Sequence, residues 1–143
     1  MQNSNISLTM HIIQNNERST TSYNIDANFF EKDNQFILSF DEKNDDDIEI
    51  TNCRLEISED SLRMRRNGQI VVEQTHVKNQ KDHLTNGYIK TPFGRVATKL
   101  RTFNLSFIQQ ANGSYHLDLG YDLYTDNERT GTYLLEIMIT KKE

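Results

Sequence analysis

Alternation of apolar and polar residues runs along almost the whole chain, and it constrains the fold more than any other feature of the sequence. It is clearest between Tyr115 and Leu123, where every second residue is apolar or aromatic. A period of two is typical of β-strands with one buried face, and no segment of adequate length shows the 3.6-residue period of a helix. The chain is therefore predicted to be all-β.

Turn signals divide this alternation into about ten strands. The dipeptide Asn-Gly predicts tight hairpins at residues 67–68 and 112–113, because both residue types tolerate a positive φ. Residues 32–34 provide ordinary turn chemistry for the connection between the second and third strands. The apolar phase changes at residues 51–52 and again near Thr102, which predicts a β-bulge at each point.

The only proline of the chain lies in the run 88–94. Pro92 lacks a backbone donor and restricts Thr91 to extended conformations, so it belongs at a strand end, an edge or a bulge. Gly94 permits a sharp bend. We therefore expect a corner that turns a short strand into the longest one, with Phe93 as its apolar plug.

The predicted strands have no helix to cover their faces, so the sheet must curl onto itself or split in two. Leu, Ile, Val and Phe make up 36 of the 143 residues, about 25%, which is enough to build a core. We expect one domain spanning residues 1–143. Its predicted fold is a single antiparallel up-and-down β-barrel of about eight to ten strands, and the alternative is a two-sheet β-sandwich.

The run 88–94 also carries a family resemblance, together with residues 66–68, the region of Thr102 and residues 120–123. With these motifs the chain resembles the YwiB-like family of small bacterial proteins of unknown function, over residues 6–140. The resemblance implies a calycin-type, lipocalin-like β-barrel. It carries no established reaction, so it implies no catalytic residue.

The composition indicates a cytoplasmic protein without a membrane segment. The first residues have neither a basic start nor an apolar run, and no apolar stretch approaches the roughly 20 residues of a membrane span. The single cysteine, Cys53, excludes an internal disulfide and fits a reducing compartment. Net charge is -5, yet residues 54–101 contain ten basic and five acidic residues. The middle of the chain therefore has the charge to present a basic face.

Arg66 is the strongest candidate for a ligand-binding residue. It continues the alternation of Leu62 and Met64, so it is predicted to point inward at the end of its strand. There it would hold a carboxylate or phosphate by paired hydrogen bonds. The alternative is an internal ion pair or a cap on carbonyl groups at the barrel end. Three tyrosines are candidate liners of the same interior: Tyr88, Tyr115 and Tyr121.

The sequence offers no catalytic or metal site. Its four histidines have no close pair and no cysteine cluster, and His116 shares only a wet strand face with Asp118. The acidic run 45–47 lacks the glycine and the closing glutamate of a calcium loop. No G-x-S-x-G motif is present. We therefore expect no metal, no cofactor and no catalytic residue, and the sequence favours a non-enzymatic protein.

Two functions remain in contention. The leading hypothesis is a cytoplasmic barrel that binds a small anionic or amphipathic ligand inside, with Arg66 as its anchor. The alternative is an interaction module with a solid core, which would use an outer basic face for a protein or nucleic-acid partner. That face would include Arg63, Arg65, Lys99 and Arg101. The acidic composition and the lack of interleaved aromatic residues argue against nucleic acid.

Overall fold

Ten β-strands form the regular structure of the part of the chain that the structure describes. The computed structural model describes residues 2–43, 50–78 and 82–142, and none of them belongs to a helix long and apolar enough to cross a membrane. The acidic run 45–47 lies outside the described residues. In chain order the strands are β1 (Ser4–Gln14), β2 (Glu17–Lys32), β3 (Gln35–Lys43), β4 (Ile50–Ile57), β5 (Ser61–Asn67), β6 (Val71–Val77), β7 (Thr85–Thr91), β8 (Gly94–Gln109), β9 (Tyr115–Thr125) and β10 (Glu128–Lys141).

The ten strands close into one barrel. Each runs antiparallel to the strand before it, and β10 pairs with β1 in a register that sets Ile6 opposite Ile139. Closure gives each of the described strands a hydrogen-bonded neighbour on both sides, although β2 pairs with β3 only from Asn28 to Lys32. The predicted up-and-down barrel is therefore confirmed, and the two-sheet sandwich is wrong because the hydrogen-bonded order of strands has no break.

The two ends of the barrel differ in their filling. One end carries Pro92 in the β7–β8 turn, together with the β1–β2, β5–β6 and β9–β10 connections, and we call it the Pro92 end. At the other, the aromatic end, four rings meet with centroids 5.0 to 6.4 Å apart. These rings are Phe29, Phe36, Phe107 and Tyr115. Because they fill the interior, the aromatic end is the densely packed one.

Tight turns occur at Asn-Asn and Asp-Asn dipeptides. Residues 15–16, 33–34 and 126–127 all have φ between +50° and +66°, the conformation that a two-residue hairpin turn requires. Asn67 ends β5 and Gly68 begins the β5–β6 connection, while residues 112–113 lie in the β8–β9 connection, so both Asn-Gly dipeptides mark strand connections as predicted. Both connections are longer than two residues, so the tight hairpins expected there are wrong.

One of the two predicted bulges exists. The pairing of β8 with β9 shifts between Thr102 and Asn104, which confirms the bulge near Thr102. Pairing of β3 with β4 is unbroken as far as Ile50, so the bulge predicted at residues 51–52 is wrong. The change of apolar phase arises because Ile50 faces outward and is 54% exposed.

Pro92 forms the corner that the sequence predicts. Thr91 pairs with Gly94, so Pro92 and Phe93 alone make the turn between β7 and the longer β8. Phe93 is fully exposed, which means that its predicted role as an apolar plug is wrong. A side chain at the tip of a two-residue turn lies beyond the strands and has no core to fill.

Candidate ligand-binding cavity

A cavity of about 350 Å³ opens toward the Pro92 end of the barrel. Its wall is largely apolar and includes Leu8, Leu55, Met64, Leu123, Leu135 and Ile137. Barrels of eight strands are just filled by their side chains, and the diameter grows with strand number. Ten strands therefore enclose more space in this half of the barrel than the side chains of the described residues fill, although the rings of Tyr121 and Tyr133 stack there.

Three polar side chains are joined by hydrogen bonds in the cavity wall. Tyr23 donates its hydroxyl to Glu42 Oε1 at 2.6 Å, and Arg66 Nη2 donates to Glu42 Oε2. All three line the cavity and all are partly exposed. Burial, followed by the hydrogen bond to Glu42, raises the pKa of Tyr23, so this phenol stays neutral and keeps its proton for the carboxylate. The trio holds one positive and one negative charge.

Arg66 points inward, as its alternation predicts, but it already has a carboxylate partner. Its pairing with Glu42 corresponds to the alternative interpretation, an internal ion pair. The guanidinium also carries a buried Nε–H, and it is the one buried side-chain polar atom without a hydrogen-bond partner in the described part of the chain.

A second polar group, deeper in the barrel, lies on β6, β8 and β9. His76 is fully buried, with Nδ1 2.6 Å from Thr102 Oγ1 and Nε2 3.0 Å from Gln74 Oε1. Its ring centroid is 4.6 Å from that of Tyr121, which in turn stacks on Tyr133 at 5.1 Å. Burial lowers the pKa of His76 to about 3 and raises that of Tyr121, so both groups are neutral near pH 7.

Cys53 also lines the cavity. It lies directly opposite Arg66 on the neighbouring strand and is 4% exposed. Burial, with a further contribution from Glu42, raises the pKa of the thiol to about 12. The thiol is therefore protonated at neutral pH and lacks the thiolate character that a nucleophile needs.

The three predicted tyrosine liners lie in three different places. Only Tyr121 lines the cavity together with Arg66. Tyr115 faces the interior but belongs to the aromatic end, where it stacks on Phe107 at 5.3 Å. Six residues of extended strand, roughly 20 Å, separate it from Tyr121.

The expected position of Tyr88 is corrected outright, because its side chain lies on the outer face. Its hydroxyl donates to Glu73 at 2.8 Å, and the Arg95 guanidinium lies 3.8 Å from its ring centroid. Tyr88 pairs across the strands with Glu73, and cross-strand partners point to the same side of a sheet.

Sequence reasoning missed several residues of the cavity. Glu42 continues the inward alternation of Leu38 and Phe40, so extending that pattern by one more position would have found it. Gln74 and His76 likewise share a face of β6, but only their burial reveals that the face is internal. Nothing in the sequence signals that these side chains meet, because their contacts depend on the register of strands far apart in the chain.

The outer face of β5 to β8 is basic, as predicted. Arg63 and Arg65 share Glu73, with N to O distances of 2.5 and 3.3 Å. Hydrogen bonds from Arg63 and then from Tyr88 lower the pKa of Glu73. Further along, Arg101 binds the buried Asp122 at 2.5 Å. Part of the positive charge on this face is therefore balanced within the protein.

One imidazole and two carboxylates lie together on the outer face of β9 and β10. His116 Nε2 is 2.9 Å from Glu136 Oε1 and 3.7 Å from Asp118 Oδ1. Three such ligand atoms within 4.8 Å of one another are spaced closely enough for a divalent cation. All three side chains are partly or largely exposed, and two of the three already pair with each other, so we describe them as a surface ion-pair cluster.

The described residues also line two further depressions. One, of about 230 Å³, adjoins the mouth of the cavity and shares Arg66 and Val72 with it. The other, of about 320 Å³, lies at the aromatic end between Phe36, Phe107 and the surface residues Glu59 and Lys78. The cavity at the Pro92 end is distinguished from this last one by its inward ion pair and its buried unpartnered donor.

Comparison with known proteins gives two matches that agree in extent. The family model described as a domain of unknown function (DUF1934) matches residues 6–137. The crystal structure of ywiB protein from Bacillus subtilis is similar with a TM-score of 0.82 and 15% sequence identity, covering 99% of this chain and 93% of that chain. At this identity the likeness shows the fold alone. A comparison with curated proteins gives no match.

Proposed function

The chain belongs to the DUF1934 family, as the resemblance predicts, and we propose that its barrel binds a small amphipathic molecule in the cavity at the Pro92 end. The observation that carries the proposal is the cavity itself. Its volume of about 350 Å³ lies within the range of small-molecule sites, which are mostly apolar with a few placed polar groups. The apolar wall takes the body of the ligand, and the trio of Tyr23, Glu42 and Arg66 faces its polar end.

The sequence allows either an anionic or an amphipathic ligand, and the charges of the cavity favour the amphipathic one. The sequence predicts that Arg66 anchors an anion, but its positive charge is already paired with the Glu42 carboxylate. An anion at the same place would lie beside the Glu42 carboxylate as well as beside the guanidinium. Lipocalin-like barrels offer an architectural analogy, since they hold one small ligand inside, but an analogy of fold does not establish function.

Binding is favoured over catalysis by the protonation states of the cavity groups. General acid-base catalysis works best with a pKa near the operating pH. Burial moves the pKa of Cys53 to about 12 and that of His76 to about 3, in both cases away from neutrality. The proposal therefore includes no catalytic residue. It also includes a cytoplasmic location, for which the single free thiol of Cys53 is the support.

Fluorescence of N-phenyl-1-naphthylamine, an uncharged dye that brightens in apolar surroundings, tests the proposal. Val72 lines the mouth of the cavity, whereas Val71 points to the outer face of the same strand. Val72→Trp is expected to weaken dye binding at least tenfold by filling the mouth. Val71→Trp, which adds the same bulk outside, should leave it within twofold of the wild type.

The outcome is decisive only for folded variants, so thermal melting accompanies each titration. A folded Val72→Trp variant that binds the dye as the wild type does would show that the dye lies elsewhere, and the proposal would then fail. Native mass spectrometry of protein purified from its own host complements the dye. A retained small molecule that is lost from Val72→Trp would identify the natural ligand.

A second candidate function rests on the outer basic face. Strands β5 to β8 carry seven basic residues and one acidic residue, and all the basic ones except Arg66 point outward. Such a face suits an acidic protein partner. Arg63→Glu with Lys99→Glu should release the protein from immobilised polyglutamate at lower salt. Lys32→Glu with Lys141→Glu changes the net charge equally, and equal weakening by both pairs would count against a specific face.

A further inference from the structure

The polar groups deep in the cavity form a hydrogen-bonded row with a defined direction. Gln74 Oε1 lies 3.0 Å from His76 Nε2, and an amide oxygen can only accept a hydrogen bond. The His76 proton is therefore on Nε2. Because the ring is neutral, Nδ1 is left as an acceptor, and it takes the hydroxyl proton of Thr102 at 2.6 Å.

The row ends at Tyr121. Gln74 opposes the rise that burial causes in the pKa of Tyr121, which is the effect of an amide N–H directed at the phenol oxygen once the amide oxygen is committed to His76. The Tyr121 hydroxyl therefore keeps its own proton to donate. Tyr121 is 97% shielded from solvent and lines the cavity, so the partner for this proton lies within the cavity.

Arg66 lines the same space and lies close enough to Tyr121 for its charge to favour the phenolate. Its Nε is buried and has no partner among residues 2–43, 50–78 and 82–142, so that donor is shielded from a ligand in the cavity. The hydroxyl of Tyr121 is therefore the donor that defines a place for an acceptor atom.

The charge of the cavity limits what kind of acceptor fits. Glu42 and Arg66 are the charged side chains among the described residues that line it, and they neutralise each other. A charged ligand group would be buried without a counter-charge of its own, which is costly. An uncharged oxygen accepts from the Tyr121 hydroxyl without that cost.

We propose that the cavity selects an uncharged ligand whose polar end carries a carbonyl-type oxygen, such as an amide, held by the hydroxyl of Tyr121 beside the neutral pair of Glu42 and Arg66. The inference rests on the proposed function, because it names the class of ligand for the same cavity. In this arrangement Thr102, His76 and Gln74 do not touch the ligand. They are positioning residues that fix the direction in which Tyr121 donates.

Displacement of N-phenyl-1-naphthylamine by three ligands with the same ten-carbon chain tests the selection. Decanamide, decanoate and decylammonium differ only in the polar end, which is neutral, negative or positive at pH 7.5. Decanamide is expected to displace the dye at a concentration at least tenfold lower than either ion. Equal or stronger displacement by decanoate or by decylammonium would overturn the inference.

Tyr121→Phe separates the hydrogen bond from packing, because it removes only the hydroxyl. It is expected to weaken decanamide binding about tenfold while dye binding stays within twofold, since the dye carries no carbonyl oxygen. The control is Tyr115→Phe, the same change at the aromatic end, which should alter neither. A loss in Tyr121→Phe that is equal for dye and decanamide would indicate packing alone and would overturn the role of the hydroxyl.

The two proposals fail in different ways. If the wild-type protein does not bind the dye, or if Val72→Trp leaves dye binding intact, the cavity is not a ligand site and both proposals fall. If the dye binds and Val72→Trp blocks it, but the three ten-carbon ligands displace it equally, only the selection for an uncharged ligand is wrong.

Discussion

The two ends of this barrel are built from the same strands but use their interior in opposite ways. At the aromatic end four rings from β2, β3, β8 and β9 lie in mutual contact. At the Pro92 end aliphatic and aromatic side chains surround a cavity of about 350 Å³, and an ion pair lies at its mouth. Because the same ten strands run through both ends, the placement of the rings decides which end keeps an inward cavity.

The contrast also separates stability from function within one sheet. Each buried ring contributes a large apolar area and favourable contacts with its neighbours. The cavity end instead contains a buried donor without a partner and polar groups that must satisfy one another. We therefore expect the aromatic end to carry most of the folding free energy, while the Pro92 end carries the binding site.

Truncation of a ring is the largest expected effect and the most direct way to break this comparison. Phe29→Ala at the aromatic end should lower the free energy of unfolding by about 3–5 kcal/mol, because Phe29 is 3% exposed and contacts all three other rings. Val72→Ala at the cavity mouth should cost roughly 1 kcal/mol, since it removes two half-exposed methyl groups. Urea denaturation measures both. Similar losses at the two ends would contradict the division.

The alternation of the sequence predicted which residues face inward far better than it predicted where they meet. Arg66 and Tyr121 were both assigned to the interior, and both line the cavity. Tyr115 was assigned to the same face as Tyr121 and does face inward, but at the far end of the strand. A period of two shows which face of a strand a residue occupies, but it does not show how far along the barrel axis that residue lies.

The sequence could not predict which side chains contact each other across the barrel. Glu42 and Arg66 are 24 positions apart and meet only because β3, β4 and β5 are aligned in one particular register. The prediction that Tyr88 lines the interior failed for a related reason. The alternation around Pro92 has no unambiguous phase, so only the observed pairing with Glu73 shows that Tyr88 faces outward.

Acid should destabilise the protein through the polar row rather than through the aromatic cluster, an effect of intermediate size. Burial lowers the pKa of His76 to about 3, whereas the unfolded chain takes up this proton below about pH 6.5. The unfolded state thus binds more protons, so stability falls as the pH drops below 6.5. Between pH 7 and pH 5 the loss should be about 2 kcal/mol.

Urea denaturation at both pH values measures this loss, and two histidine variants locate it. His76→Gln should largely remove the decrease between pH 7 and pH 5, because no buried group is left to resist protonation. His11→Gln changes a histidine on the outer face, hydrogen-bonded to Thr20, and should retain the full decrease. A wild-type stability that is flat from pH 7 to pH 5 would show that His76 is not shielded as its burial implies.

The smallest expected effect is that of replacing Phe93 at the tip of the Pro92 turn. This change compares one exposed ring at the Pro92 end with the packed rings of the aromatic end. Phe93 is fully exposed, in contrast to the four packed rings at the opposite end. Phe93→Ser should therefore change the free energy of unfolding by no more than about 0.5 kcal/mol in urea denaturation. Dye affinity should also be unchanged, because Phe93 does not line the cavity. A loss of dye binding without a loss of stability would mean that the ring folds over the mouth when a ligand is present, and the Pro92 turn would then belong to the binding site.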